Sequence, residues 1–183
     1  MFVGENILLF LNKSPSMKKT QLFFTISSLA ALFVSCGPTK NDAIKYNDQL
    51  IAIQKSLSPA YNTFINQIDG HNKDSLKLSY ASFCSKAKSC LDECTALKAF
   101  GGSTEYRDAA LDYFRTINTM ADNEGKQIMD IALMDREKIT DKEVDVMKTA
   151  SSKFDTESAR VLQKVGEAQV VFSTKWKFAI AKD

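Results

Sequence analysis

Apolar residues recur at three- and four-residue steps along almost the whole chain after residue 41, the spacing of one face of an α-helix. The clearest stretch runs from Asp74 to Phe100, where Leu76, Tyr80, Phe83, Ala87, Cys90, Cys94 and Leu97 alternate steps of four and three without an error. Before it, Ile44, Leu50, Ile51, Leu57, Tyr61, Phe64, Ile65 and Ile68 mark a helix over 41–69, which Pro59 should kink and Gly70-His71-Asn72 should end. A third helix is expected from a cap at Ser103 to about Asp135, with Ala110, Phe114, Ile117, Ala121, Ile128 and Ile131 on one face. Thr140 and Glu143 read as a capping box, followed by Val144, Met147, Phe154, Val161, Val165, Ala168, Phe172 and Trp176. Ser151 and Ser158 lie on that stripe, where a small residue would let a neighbour approach. Short connections between long helices predict an all-α fold, an antiparallel up-down-up-down four-helix bundle over 41–183.

The front of the chain obeys a different pattern. Met17-Lys18-Lys19 is followed by an apolar run from Leu22 to Val34, the length of a signal-peptide core and too short to span a bilayer, which takes ~20 residues. The run closes on Leu32-Phe33-Val34-Ser35-Cys36-Gly37. This segment resembles the lipobox of bacterial lipoproteins, with Phe33 where Leu is commoner. The resemblance implies a signal peptide over 17–35, cleavage between Ser35 and Cys36, diacylglycerol on the Cys36 sulfur and acylation of the new amine. Residues 36–40 would then be a lipidated tether, and the membrane is the first expected partner. Residues 1–16 fit none of this; they read as a start-site artefact upstream of Met17 or as an extended n-region.

Charge excludes one class of partner. The chain carries 24 basic and 22 acidic side chains, but Lys13, Lys18, Lys19 and Glu5 leave with the leader. The mature part keeps 21 of each, a neutral domain without the clustered Lys and Arg that nucleic acid binding needs.

Tyr46-Asn47-Asp48, Ala99-Phe100-Gly101-Gly102, Tyr106-Arg107-Asp108-Ala109-Ala110-Leu111 and Asn123-Glu124 are similar to a family of helical surface lipoproteins of leptospiral and Bacteroidetes-type bacteria. The resemblance spans the mature chain and implies a lipid-anchored helical bundle in the cell envelope, with no catalytic residues to carry over.

Candidate chemistry is sparse. Cys90 and Cys94 are one turn apart on the core face, with Cys84 at its edge. They can be small apolar core residues, which is the favoured reading, a disulfide with one thiol left over, or a three-thiolate metal site completed by a carboxylate. Glu124 interrupts an apolar face, either as a buried acid or ligand near Tyr46, Tyr61, Tyr80 or Tyr113, or, in the favoured reading, tilted outwards or bonded to a tyrosine as a register pin. His71, the chain's one histidine, sits in a Gly-His-Asn turn and reads as a solvated loop residue. Phe172-Ser173-Thr174-Lys175-Trp176-Lys177-Phe178 either ends a packed helix or touches headgroups or a partner. No nucleophile, acid and base can be assembled, so an enzyme is not expected, and neither a cofactor nor a resident metal is predicted. The expected role is a lipid-anchored, non-enzymatic envelope module at the outer membrane that presents a face to another envelope protein or to cell-wall polymer. The alternative is a carrier of a small apolar ligand or metal between the helices around Cys90, Cys94 and Glu124.

Overall fold

The computed structural model describes residues 37–70 and 72–180; the expected signal peptide, cleavage site and lipidation site at Ser35 and Cys36, the stretch before them, His71 and 181–183 lie outside the described residues. Helix α1 spans Lys40–Ile68, beginning one residue inside the expected tether. Thr39 and Asp42 form a capping box: the Thr39 N–H donates to Asp42 Oδ2 at 3.0 Å, and the Asp42 N–H donates to Thr39 Oγ1 at 3.3 Å. Those bonds to Thr39 hold the Asp42 carboxyl below its ordinary pKa. The helix continues through the exposed Pro59. Its buried face is Ala43, Asn47, Leu50, Ile53, Leu57 and Phe64, while Ile44 and Ile51 are half-buried and Ile65 is exposed. Leu50, Leu57 and Phe64 are buried as the stripe predicts, while Ala43, Asn47 and Ile53 extend the core face to one side of it.

Helix α2, Lys73–Ala96, starts at Asn72, whose Oδ1 accepts the N–H groups of Asp74 and Ser75 at 3.1 and 3.0 Å. It stops four residues short of the expected Phe100. Leu97 is extended, with ψ 134°, and Phe100 and Ser103 exchange backbone hydrogen bonds of 3.1 and 3.0 Å across a two-residue turn. Gly101 and Gly102 have φ of 58° and 77°, the positive pair that a primed hairpin turn demands and glycine supplies without strain. The glycines therefore build a turn of their own rather than a helix cap, and Ser103 belongs to that turn instead of capping the next helix. Phe100 is swung against Tyr46, Phe172 and Trp176, with ring centroids at 5.1, 5.5 and 5.0 Å.

Helix α3, Glu105–Met120, passes without a break through a π-helical turn, Ala121–Gly125, into α4, Lys126–Ala132. The turn closes the hydrogen-bonded ring one residue later than an α-helix does, and Ala121, Glu124 and Gly125 are all buried on it. After a short 3₁₀ turn, Arg136–Lys138, the 36-residue α5 runs over Asp141–Trp176. The expected capping box is present, with the Thr140 N–H donating to Glu143 Oε2 at 3.0 Å. At the other end Lys177 takes the left-handed conformation, and the Phe178 N–H donates back to the Ser173 carbonyl at 3.1 Å, a Schellman closure with lysine where glycine is usual.

The four long helical segments pack against each other as an antiparallel up-and-down bundle, and the register is legible in the contacts. Tyr46 reaches Lys98, Ser56 reaches Cys90 and the Phe64 ring packs tilted against Tyr80, so α1 and α2 run in opposite directions. Cys94 opposite Arg107 and Tyr80 opposite Ala121 do the same for α2 and α3. Tyr106 against Phe172 and Glu124 against Lys153 set α5 antiparallel to α3–α4, and Tyr46–Phe172 with Tyr61–Phe154 close α5 onto α1. Phe64, Phe83, Phe114, Leu76, Val161, Cys90 and Cys94 are fully enclosed. Among the buried polar residues, Asn47, 5% exposed, accepts from the Tyr106 hydroxyl at 3.3 Å and from Gln169 Nε2 at 2.8 Å, which ties three helices at one level. Among the described residues no helix is long and apolar enough to cross a membrane.

Candidate functional site

The three cysteines separate in space. All are free thiols. Cys90 lies in the α1–α2 seam, 3.5 Å from the Ile53 carbonyl and from the Ser56 hydroxyl. Cys94, a turn further on, points at the Arg107 carbonyl of α3 at 4.0 Å. Half-buried Cys84 sits beside the Tyr80 hydroxyl. Burial pushes all three thiols above the ordinary thiol pKa, Cys94 to about 11. Protonated thiols that face backbone carbonyls are poor nucleophiles and poor metal ligands. Among the described residues no group of three or more His, Cys, Asp and Glu converges on one point.

Glu124 is 6% exposed and projects from the π-helical turn toward α5, where the Lys153 ammonium donates to Glu124 Oε1. Its partner is thus a lysine and not one of the tyrosines. Tyr80 does reach the same turn, but its hydroxyl donates to the Ala121 carbonyl at 3.0 Å, a bond that supports the widened backbone. Burial, then the Cys84 contact, raises the Tyr80 phenol. Hydrogen bonding to Glu124 followed by its charge raises Lys153. Glu124 opens on a shallow groove of about 350 Å³ with Arg115, Lys153, Glu157 and Arg160. Cys94 packs at the level of Arg107, some 17 residues along α3, so Glu124 and Cys94 are about 25 Å apart along the axis. The structure does not bring Cys90, Cys94 and Glu124 to one site.

Two other concavities are better formed. A cleft of about 300 Å³ opens between α1 and α5 at mid-bundle. Its wall is Leu57, Tyr61, Phe83, Tyr113, Ile117 and Phe154, with Tyr61 stacked on Phe154 at 5.4 Å. Ser58, Ser158 and Ala159 stand at the seam, and their missing bulk leaves the gap. Ser158 therefore holds a space open rather than letting α1 approach. Burial raises both phenols; the Asp155 charge adds to the effect at Tyr61, and Cys90 then Tyr61 add to it at Tyr113.

The second concavity, about 980 Å³, lies at the end of the bundle where α1 turns into α2 and α4 gives way to α5. Ile68, Ile131, Met134, Ile139, Val144 and Met147 line it, and Lys73, Arg136, Glu137 and Lys148 surround them. Asp135 clamps the rim, held by Lys73 at 2.9 Å and Lys138 at 3.0 Å, and these bonds keep its carboxyl below the ordinary range.

The chain matches no known protein family, no curated protein and no solved structure. Its function must be read from its own surface. The sequence held a weak sign of the cleft in Ser158, a small residue on the apolar stripe of α5. It held none of the end groove, whose walls come from three helices and a connection.

Proposed function

We propose that this chain is a lipid-anchored envelope protein whose bundle serves as a non-enzymatic binding module for another envelope protein. The lipobox-like segment ending at Cys36 supports the anchor; the outer membrane is the proposed place for it. The observation that carries the binding role is the end groove: apolar residues ringed by charge, the anatomy of a protein docking surface, at the opposite end of α1 from Lys40. Anchored through Cys36, the groove faces away from the lipid.

A photoreactive amino acid at Val144, inside the groove, should give one discrete adduct in intact cells, and Met147→Glu should abolish it. The same probe at exposed Val170 should give none. Equal adducts from both positions, or none from Val144, would sink the docking role. Cys36→Ser should separately leave an uncleaved precursor that no longer partitions into detergent.

The mid-bundle cleft favours a second reading, a carrier of a small apolar ligand. Its volume and aromatic walls suit a ligand with a flat or branched hydrocarbon body, at the lower limit of known ligand cavities, ~300 Å³. Ala159→Trp should fill it without unfolding the bundle. Native mass spectrometry that finds a bound small molecule in the wild type and none in Ala159→Trp would promote this reading over the first.

A further inference from the structure

The end of the bundle that carries the tether has a composition unlike the groove end. Pro38, Gly101 and Trp176 converge there: a methyl group placed on Gly101 would meet the Trp176 ring and lie 3.6 Å from Pro38 Cγ. Lys40, Lys98, Lys175 and Lys177 are all exposed at this end. None of the four forms an ion pair among the described residues. Of the carboxylates nearby, Asp108 is paired with Arg107 at 2.8 Å, and Asp42, which also caps Thr39, stands with Asp48 and Glu105 against these four lysines. At the groove end, by contrast, Lys73 and Lys138 share the Asp135 carboxylate in two ion pairs. Partly exposed Trp176, Phe178 and Ile180 stand among the free lysines. Aromatic rings beside lysines are the pairing that settles at the boundary of headgroups and acyl chains.

We propose that this end of the bundle docks on the anionic headgroup layer of the membrane, a second attachment beside the lipid on Cys36. The inference rests on the lipid-anchor reading. Thr39 begins the cap of α1 three residues after Cys36, so full extension separates them by only about 11 Å. That leash is too short to let the lysine-bearing end leave the surface. The negative potential above anionic lipids strengthens binding roughly five-fold for each lysine that reaches it. Docking sets α1 and α5 upright. With a rise of 1.5 Å per residue, the Tyr61–Phe154 cleft stands about 30 Å above the surface and the end groove about 40 Å. A ligand of that cleft is therefore taken from the aqueous side, not drawn directly from the bilayer.

Trp176 is the chain's one tryptophan, so its fluorescence reports on this end alone. The mature lipoprotein, with lipid on Cys36 verified by mass, would be placed in vesicles that contain a nitroxide-headgroup quencher. One set would be phosphatidylcholine, the other equal parts phosphatidylcholine and phosphatidylglycerol. Quenching should be stronger in the anionic set, and the triple variant Lys98→Glu, Lys175→Glu, Lys177→Glu should lose roughly two-fold or more of it. Lys148→Glu, at the groove end, should change nothing. Quenching equal in both sets and indifferent to the triple variant would mean that the tether alone holds the bundle close, and would overturn docking. Absence of quenching in a lipidated protein would overturn it too. A mature protein without lipid on Cys36 would instead remove the anchor reading and this inference with it.

Discussion

Glu124 and Lys153 form an unequal pair: the carboxylate side chain is 7% exposed and the ammonium side chain 62% exposed. Lys153 can leave for water at little cost, whereas Glu124 cannot. Lys153→Met should therefore lower the urea midpoint of unfolding, because a buried acceptor loses its charged donor. Glu124→Gln should be milder, since the amide still accepts a hydrogen bond. The pH dependence has a definite sign. A lysine whose pKa is raised by folding contributes stability that is complete below its ordinary value of 10.5 and fades as pH climbs past it. Urea midpoints from pH 7 to 9 should show no contribution from this pair to pH dependence, in wild type or Lys153→Met.

The buried thiols act in a neighbouring window. Cys94 keeps its proton in the fold to about pH 11, while the unfolded chain releases it near the ordinary 9.0. An acid held protonated by folding favours the native state below the unfolded value, and that advantage drains away as pH rises from 9 to about 11. The melting temperature should fall across this interval, and Cys94→Ala should flatten the fall. Thiol-reactive reagents at pH 8 should label half-buried Cys84 first. Rapid labelling of Cys94 would contradict its enclosure.

Phe83→Ala tests the packing around the cleft. Phe83 is fully buried against Phe64, Tyr61 and Phe154, with centroids at 5.8, 5.4 and 6.2 Å. Its loss should cost about 3–5 kcal/mol in denaturant unfolding. Because the same ring lines the cleft, the variant should also bind hydrophobic dyes more strongly than wild type.

Two glycines should respond to alanine in opposite directions. At Gly101, φ is +58° and a methyl group would meet Trp176 Cζ2 far inside van der Waals contact. Gly101→Ala should cost on the order of 1–3 kcal/mol and shift the Trp176 emission to the red. Gly166 lies inside α5 with nothing near its Cα substituent, so Gly166→Ala should stabilise by up to about 1 kcal/mol. Trp176→Phe is a useful companion: the indole N–H is enclosed without a hydrogen-bond partner among the described residues, so removing it should cost little beyond lost area.

What the sequence determined by itself was local. Helical periodicity records which face each segment hides, so α2 was legible residue by residue, with Leu76, Phe83, Ala87, Cys90 and Cys94 all buried as their spacing required. The capping box at Thr140 was equally legible, because its partners are three residues apart. Tertiary structure decided whatever depended on distant partners. Asn47 lies on the core face of α1 because Tyr106 and Gln169 arrive from two other helices to satisfy it, and no pattern within α1 reports that. Glu124 stays buried because Lys153 reaches it across the α3–α5 seam. The turn at Gly101-Gly102 follows the positive-φ preference of glycine, yet only the ring of Trp176 makes Gly101 irreplaceable there. The cleft is the clearest case: Ser158 shows in its own helix only as a small residue on an apolar stripe, and it and Ser58, 100 residues apart in the chain, line one gap because α1 and α5 pack antiparallel.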